Sequence, residues 1–166
     1  MKFGVLLILL IFISSFSSYS KQSLKLQGRG IYTFFLLDVY EATLWTSGTK
    51  NIYEGELNLQ LKYKMNFEGK DIVKQTKKEF ESAGVTSENS EKWSVELDSI
   101  FPDIKKGDSI LASYKPFSGI KFYLNEKKFL GEVKDMELSK SFLDIWLGPK
   151  SSDPELRDRL LGVGNE

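Results

Sequence analysis

Histidine and cysteine are both missing from this chain of 166 residues. Without cysteine there is no disulfide bond and no thiol nucleophile, so packing alone must hold the fold together. Without histidine the chain lacks the usual general base near neutral pH and the commonest transition-metal ligand. Serine–histidine triads, cysteine–histidine dyads and ordinary zinc sites are therefore excluded. Any catalysis would depend on carboxylates, tyrosines, lysines or arginines whose properties are tuned by burial or act electrostatically.

An excess of either charge is also lacking, because 23 lysines and arginines match 23 aspartates and glutamates. The net charge therefore gives no reason to expect nucleic acid or an anionic membrane surface as a partner. We predict no cofactor and no metal site.

The N-terminus carries the long apolar run of the chain. Lys2 is followed by apolar residues from Phe3 to Ile13 and then by SSFSSYS, with Ser18 and Ser20 as the small pair before a cleavage site. A membrane anchor is the alternative, but a span needs roughly 20 apolar residues. No cysteine follows, which excludes a lipoprotein anchor. We therefore predict a signal peptide at residues 1–20, a single mature domain at residues 21–166, and a periplasmic or otherwise exported protein.

Strand patterns dominate the segment that follows. Leu24 to Leu26 alternates with lysine and then meets GRG at residues 28–30, which predicts a strand interrupted by a turn or bulge. The run from Ile31 to Trp45 is rich in aromatic and β-branched residues. It predicts one bent strand or two successive strands, covered on both faces near Phe34 to Leu37. Alternation from Leu57 to Lys62 predicts a further strand with one wet face, in a sheet that looks antiparallel.

The middle of the chain changes to a helical period. One helix is predicted to end at Gly84, and a second to begin after an N-cap at Ser90 and to stop at Pro102. Their apolar faces contain Ile72, Val73, Thr76, Phe80 and Ala83 in the first helix and Trp93, Leu97, Ile100 and Phe101 in the second. Two strands follow at residues 110–114 and 120–124, joined by a PFSG turn.

Two more helices are predicted in the C-terminal third. Asp135 is a good N-cap, and Gly148 with Pro149 ends the third helix. The inward positions of that helix are Met136, Phe142, Leu143, Trp146 and Leu147. The last helix begins either with Asp153 as the cap before Pro154 or with a capping box from Ser152 to Glu155, and it ends at Gly162.

Four segments together resemble the bacterial chalcone isomerase-like proteins. They are GRGIYTFFLLDVYEATLW at 28–45, IFPDIKKGDSI at 100–110, FYLN at 122–125 with Gly131 beyond it, and FLDIWLGPKSSDPELRDRLLG at 142–162. Each segment alone is weakly specific, but the combination covers nearly the whole mature chain. The resemblance implies an α+β open-faced β-sandwich, in which a curved antiparallel sheet is covered on one side by a helical layer. A ligand cleft is implied between the sheet and the helices.

The resemblance does not imply chalcone isomerase activity. The plant enzymes of the superfamily close a chalcone into a flavanone with an arginine, a threonine, a tyrosine and an asparagine around the substrate. Here the arginine is missing from the region around Gln22, and the threonine position becomes Phe34 or Phe35. The first helix offers glycine, lysine or threonine near Gly69 and Thr76, where the enzymes carry tyrosine and asparagine. We therefore assign no catalytic residue.

Arg29, Tyr32, Asp38 and Tyr40 are the candidate ligand-binding residues. The guanidinium of Arg29 could hold a carboxylate or phosphate, or Arg29 could be a surface turn residue. Asp38 interrupts an apolar strand, where a buried carboxylate would have a raised pKa suited to acid–base work. The alternative for Asp38 is a bulge residue or a partner of backbone amides. The two tyrosine hydroxyls could orient a ligand or lie at the rim of ordinary sheet packing.

Three functions remain open on the sequence. The first is an exported, non-catalytic protein that binds a fatty acid or a similar apolar molecule, as some members of the superfamily do. The second is an accessory or interaction protein of the cell envelope whose cleft is filled by Phe34 and Phe35. The third is an isomerase or intramolecular lyase on an unknown substrate. An open cavity with Arg29 at its mouth would favour the first, a closed core the second, and a polar cleft containing Asp38 the third.

Overall fold

The structure is a computed structural model that describes residues 23–163. The predicted signal peptide at residues 1–20 lies outside the described residues. Within residues 23–163, none of the helices has both the length and the apolar character needed to cross a membrane.

Strands in the described part of the chain form one antiparallel sheet, in which neighbours in sequence are also neighbours in space. They are β1 (Lys25–Phe34), β2 (Leu37–Thr46), β3 (Leu57–Tyr63), β4 (Ser109–Lys115), β5 (Gly119–Leu124) and β6 (Lys128–Val133). This topology confirms the predicted antiparallel sheet. The strand β6 was not predicted, because its short sequence KFLGEV contains a glycine and alternates weakly.

The helical layer comes from two separate parts of the chain. Its members are α1 (Gly69–Ala83), α2 (Ser87–Asp98), α3 (Met136–Leu147) and α4 (Pro154–Leu161). The first pair connects β3 to β4, and the second pair follows β6. Together with the sheet they form the open-faced α+β fold that was predicted.

Local capping signals fix most helix ends. Gly84 ends α1 in the left-handed region with a φ of 94°. The Asp135 carboxylate accepts hydrogen bonds from the backbone N–H groups of Glu137 and Leu138 at the start of α3. Of the two predicted starts of α4, the correct one is Asp153 as the cap, since its carboxylate accepts the N–H of Leu156 at 2.9 Å.

The predicted N-cap of the second helix was wrong. The cap is Thr86, whose hydroxyl accepts the N–H of Asn89, and α2 begins one turn earlier than expected. Ser90 lies inside the helix and is fully buried, where its hydroxyl donates to the Glu81 carboxylate at 3.1 Å. A serine hydroxyl can form hydrogen bonds inside a helix as well as at its N-cap. The residue type alone therefore could not show whether Ser90 caps the helix or lies within it.

The first hairpin confirms part of its prediction and contradicts another part. GRG lies inside β1, next to a bulge between Leu26 and Gly28, which confirms the bulge and not the turn. The aromatic run forms two strands joined by a tight turn at Phe35 and Leu36, both in the left-handed region, with φ values of 45° and 67°. The expectation that residues 34–37 are covered on both faces is wrong, because all four side chains are largely exposed.

The core lies between the inner face of the sheet and the helical layer. Alternate residues of the central strands face inward, as the period of two requires, and meet the apolar stripes of α1 and α3. The largest fully buried side chains include Leu44, Leu59, Phe80, Trp93, Phe122, Leu138 and Leu143. Edge-to-face contacts between aromatic rings, such as Phe122 with Phe142 at 5.2 Å, add to this packing.

The last helix lies directly on the first strand. A Cβ atom added at Gly28 would come within 2.1 Å of the backbone oxygen of Arg159, and one at Gly30 within 2.7 Å of a Leu156 methyl group. The Gln27 side chain also donates a hydrogen bond to the Leu161 carbonyl at 2.9 Å. Glycine at residue 28 is therefore required by the close approach of two backbones.

Replacing Gly28 with alanine is expected to displace α4 from the sheet, because the backbone carbonyl of Arg159 cannot move aside as a side chain can. We expect the free energy of unfolding, measured by urea denaturation, to fall by about 1–3 kcal/mol. Lys25→Ala on the same strand removes an exposed side chain and serves as the control, with a change within about 0.5 kcal/mol. Equal unfolding midpoints for the two variants would contradict the close contact.

Candidate ligand-binding cleft

A cleft of about 460 Å³ opens between the sheet and the helical layer. Strands β1 to β4 form one wall, and α1, α3 and α4 form the other. Most of the lining is apolar and includes Leu61, Ile72, Phe101, Ile110, Ile145 and Leu156. The volume is within the range of small-molecule sites, which are mostly apolar and carry a few polar groups that orient the ligand.

Three tyrosines stand side by side along the sheet wall of the cleft. Tyr32 and Tyr40 are directly opposite in the β1–β2 register, and their rings stack with centroids 5.1 Å apart. Tyr40 is opposite Tyr63 on β3, and these rings meet edge to face at 5.9 Å. Cross-strand partners share one face of a sheet, so the three strands bring the rings together without any contribution from loops.

The middle tyrosine also connects the sheet to the helical layer. The indole N–H of Trp146 on α3 donates a hydrogen bond to the Tyr40 hydroxyl at 2.9 Å. Burial raises the pKa of Tyr40 far above its ordinary value, and the Trp146 hydrogen bond only partly offsets this. Tyr40 is therefore protonated at neutral pH and can orient a ligand through its hydroxyl, but it cannot act as a general base.

The pKa values of the other two tyrosines, Tyr32 and Tyr63, are also raised. Burial raises the pKa of Tyr63. Burial also raises the pKa of Tyr32, and the negative charges of Glu79 and Asp153 raise it further. The cleft therefore presents neutral phenol groups rather than phenolates, which suits hydrogen bonding to a ligand and not proton abstraction.

Acidic and polar groups surround the opening of the cleft. Asp71, Gln75 and Glu79 line it from α1 at intervals of four residues, which places them on one stripe of the helix. The amide of Gln75 donates to the Glu79 carboxylate at 2.8 Å. Asp153 lines the opening from the start of α4. Among the described residues that line the cleft none is lysine or arginine, so the mouth is negatively charged.

The structure separates the four predicted ligand-binding residues into two groups. Tyr32 and Tyr40 come together in the cleft wall. Arg29 is exposed and does not line the cleft. Alternation along β1 explains this, because Gly28, Gly30 and Tyr32 face the helices and Arg29 faces the other side of the sheet.

Asp38 also lies outside the cleft lining. Its side chain is 49% exposed, accepts a hydrogen bond from the Thr33 hydroxyl at 3.0 Å, and forms an ion pair with Lys64 at 3.4 Å. The alternative of a buried Asp38 carboxylate is therefore wrong, and the alternative of a residue at a bulge agrees with the structure. The cause is the end of the hairpin, where a bulge between Tyr32 and Thr33 shifts the strand register and leaves Asp38 facing solvent. Ligand binding by any of the four residues stays a prediction.

Other positions of the cleft can now be assigned. Phe34 lines the cleft and Phe35 does not. Thr76 lines it from α1, with its hydroxyl donating to the Ile72 carbonyl at 2.9 Å. Sequence reasoning missed Glu79, although its spacing of eight residues from Asp71 on a predicted helix was a usable signal. In residues 23–163, acidic side chains do not converge in threes as metal ligands would.

Comparison with known proteins identifies the family of this chain. A family profile described as chalcone isomerase-like matches residues 13–162 of this chain. A protein of Haemophilus influenzae described as uncharacterized is 31% identical over 136 residues. That alignment covers 81% of this chain and 66% of the relative, so the chain spans slightly less than two thirds of the relative's length.

A solved structure is similar in fold. The fatty-acid binding protein AtFAP1 of Arabidopsis thaliana superposes with a TM-score of 0.62 over 84% of this chain and 87% of its own. The two sequences are 15% identical, so the likeness concerns the fold. It agrees with the open antiparallel sheet and its helical layer, and with the resemblance expected from the four sequence segments. Because the family match covers most of the chain, this protein belongs to the chalcone isomerase-like family.

Proposed function

We propose that this chain is an exported, non-catalytic protein that holds a fatty acid or a similar apolar molecule in the cleft. The open cavity of about 460 Å³ with its mostly apolar lining carries this proposal. The fold neighbour described as a fatty-acid binding protein supports the choice of ligand. Export is supported by the signal-peptide pattern of residues 1–20.

The chemistry of the cleft favours binding over catalysis. The pKa values of Tyr32, Tyr40 and Tyr63 are all raised, which leaves no tyrosinate to act as a base at neutral pH. Asp38, which was the acid–base candidate, is paired with Lys64 outside the cleft. An isomerase or lyase therefore has less support than a binding protein.

An accessory protein with a filled cleft also has less support. That function was expected if Phe34 and Phe35 occupied the space between sheet and helices. Phe34 contributes to the wall, but the cavity remains open, and Phe35 is 84% exposed. A bound apolar molecule would remove its own surface and that of the cleft from water, which favours an occupied cleft.

The charge of the mouth determines which head group fits best. Asp71, Glu79 and Asp153 line the opening without a basic residue beside them in the described lining. An ionised carboxylate placed there meets charges of its own sign, which costs about 1 kcal/mol per pair at 4 Å in water. Within the proposed ligand class, a protonated acid, an ester, an amide or an alcohol is therefore preferred over a free fatty carboxylate.

Filling the cleft is expected to abolish binding. Thr76→Phe places a ring in the space beside the tyrosines, and we expect at least about a tenfold loss of affinity for a fluorescent acyl-chain probe. Lys78→Phe adds the same ring to the exposed side of α1 and is the matched control. Ile145→Trp fills the cleft from α3 if Thr76→Phe lowers stability. Undiminished binding by both folded cleft variants would place the ligand elsewhere.

Reversing one charge at the mouth is expected to change head-group preference. Glu79→Lys should raise the affinity for dodecanoate by about threefold to tenfold and leave the affinity for dodecanol unchanged. Added salt should reduce this gain, because exposed charges are screened. Asp98→Lys makes the same charge change on α2 away from the cleft and controls for net charge. An equal gain from both variants would show that the mouth does not select the head group.

Export is expected to leave a mature chain that begins at Lys21. Expression of the full chain in a bacterial host, followed by periplasmic extraction and N-terminal sequencing, measures this directly. Recovery of the protein with residues 1–20 still attached, in membranes or in the cytoplasm, would contradict cleavage and export.

A further inference from the structure

Four consecutive large apolar residues are exposed where β1 turns into β2. We call this segment, residues 34–37, the hairpin tip. The exposed fractions of Phe34, Phe35, Leu36 and Leu37 are 56%, 84%, 97% and 60%. Single exposed apolar residues are common on soluble proteins, but a contiguous group of four marks a surface that meets another apolar phase.

The backbone of the turn makes this sequence more unusual. Phe34 pairs with Leu37, so Phe35 and Leu36 are the two central residues of the turn, and both have positive φ. Turns of this type favour asparagine and glycine, because a bulky side chain in the left-handed region is disfavoured. Phe35 meets the Phe34 ring edge to face at 4.6 Å, but Leu36 is almost fully exposed, so packing within the described fold does not account for a leucine there. A contact with another apolar phase would account for it.

The hairpin tip also borders the cleft. Phe34 and Leu37 are both exposed to solvent and line the cavity, so the apolar surface continues from the tip into the cleft. A molecule bound in the cleft therefore lies next to whatever the tip contacts.

We propose that the hairpin tip inserts into the apolar layer of a lipid surface and places the mouth of the cleft against it. The docking follows from the exposed tip alone, whereas the passage of a ligand between lipid and cleft rests on the proposed function. The negative mouth, with Asp71 and Glu79, fits a zwitterionic lipid better than an anionic one.

Area and shape favour lipid over a protein partner. The exposed parts of four such side chains provide on the order of 500 Å². A stable protein interface needs about 800 Å² on each partner. A two-residue turn is convex and offers no groove for a complementary surface. A lipid surface needs no complementary shape, because apolar side chains at a protruding tip gain from immersion alone.

The test uses a variant that should suit the turn better than the native residues. Phe35→Asn combined with Leu36→Gly supplies the sequence that such turns prefer, so the hairpin should stay folded. Phe117→Asn is the matched control, because Phe117 is 97% exposed with a φ of 61° on the β4–β5 turn, at the opposite end of the sheet. Each mature protein is sedimented with phosphatidylcholine vesicles.

We expect the unaltered chain and Phe117→Asn to bind the vesicles and the double variant to lose at least tenfold in partitioning. Thr76→Phe should still bind, which separates docking from ligand binding if the proposed function fails. No partitioning of the unaltered chain, or equal loss in the double variant and in Phe117→Asn, would overturn the proposal. A dimer of the unaltered chain that the double variant dissociates, without vesicle binding, would instead make the tip a contact between copies.

Discussion

The separation between the sheet and its helical layer is the constraint on which this structure depends. On β1, Gly28 lets the backbone of α4 touch the sheet, and Gly30 leaves room for the side chains of Leu156 and Arg159. A few residues further along, the rings of Tyr32, Tyr40 and Tyr63 stand on the same sheet face. Small residues bring the layers together, and large residues hold them apart. The space between these two regions is the cleft. Because the chain has no cysteine, packing and hydrogen bonds such as that from Trp146 to Tyr40 maintain it.

The interior and the opening of the cleft differ in polarity. Its interior is apolar, with hydroxyl groups that remain neutral because burial disfavours their ionised form. The carboxylates of α1 and of the α4 N-cap lie at its opening, where they are in contact with solvent. Such an arrangement holds a molecule by excluding water and orients it by a few hydrogen bonds. Selectivity then depends mainly on the part of the ligand that remains at the opening.

The structural features that were predicted correctly from the sequence depend mainly on local interactions. Helix ends at Gly84 and Asp135 are set by groups within one turn of each cap, and their residue types are nearly unambiguous. For the last helix the sequence limited the start to two adjacent candidates, of which Asp153 is the cap. The antiparallel sheet followed from alternation, and the fold followed from the resemblance of four segments. Tyr32 and Tyr40, chosen from the sequence for their hydroxyl groups, lie together in the cleft wall, and their binding of a ligand stays a prediction.

What the sequence could not predict depends on contacts between distant residues or on register. The apolar neighbours of Asp38 left a buried carboxylate and a bulge residue as alternatives, and the structure decides between them because those neighbours form an exposed turn. Arg29 and the cleft lie on opposite faces of β1, and the face that meets the helices is set by the contact of α4 with Gly28 and Gly30, which lies far away in the sequence. Asp153 was interpreted solely as a helix cap. Its position at the cleft opening arises from the contact of α4 with β1, which no local pattern contains.

The sequential order of the sheet has a consequence for how the chain folds. Four of the five strand pairings join segments connected by short turns or loops, so their ends meet at little entropic cost. The pairing of β3 with β4 is the exception, because residues 64–108, including α1 and α2, must loop out between them. Closure of this loop is the step with the largest sequence separation within the sheet, and it is expected to limit the folding rate.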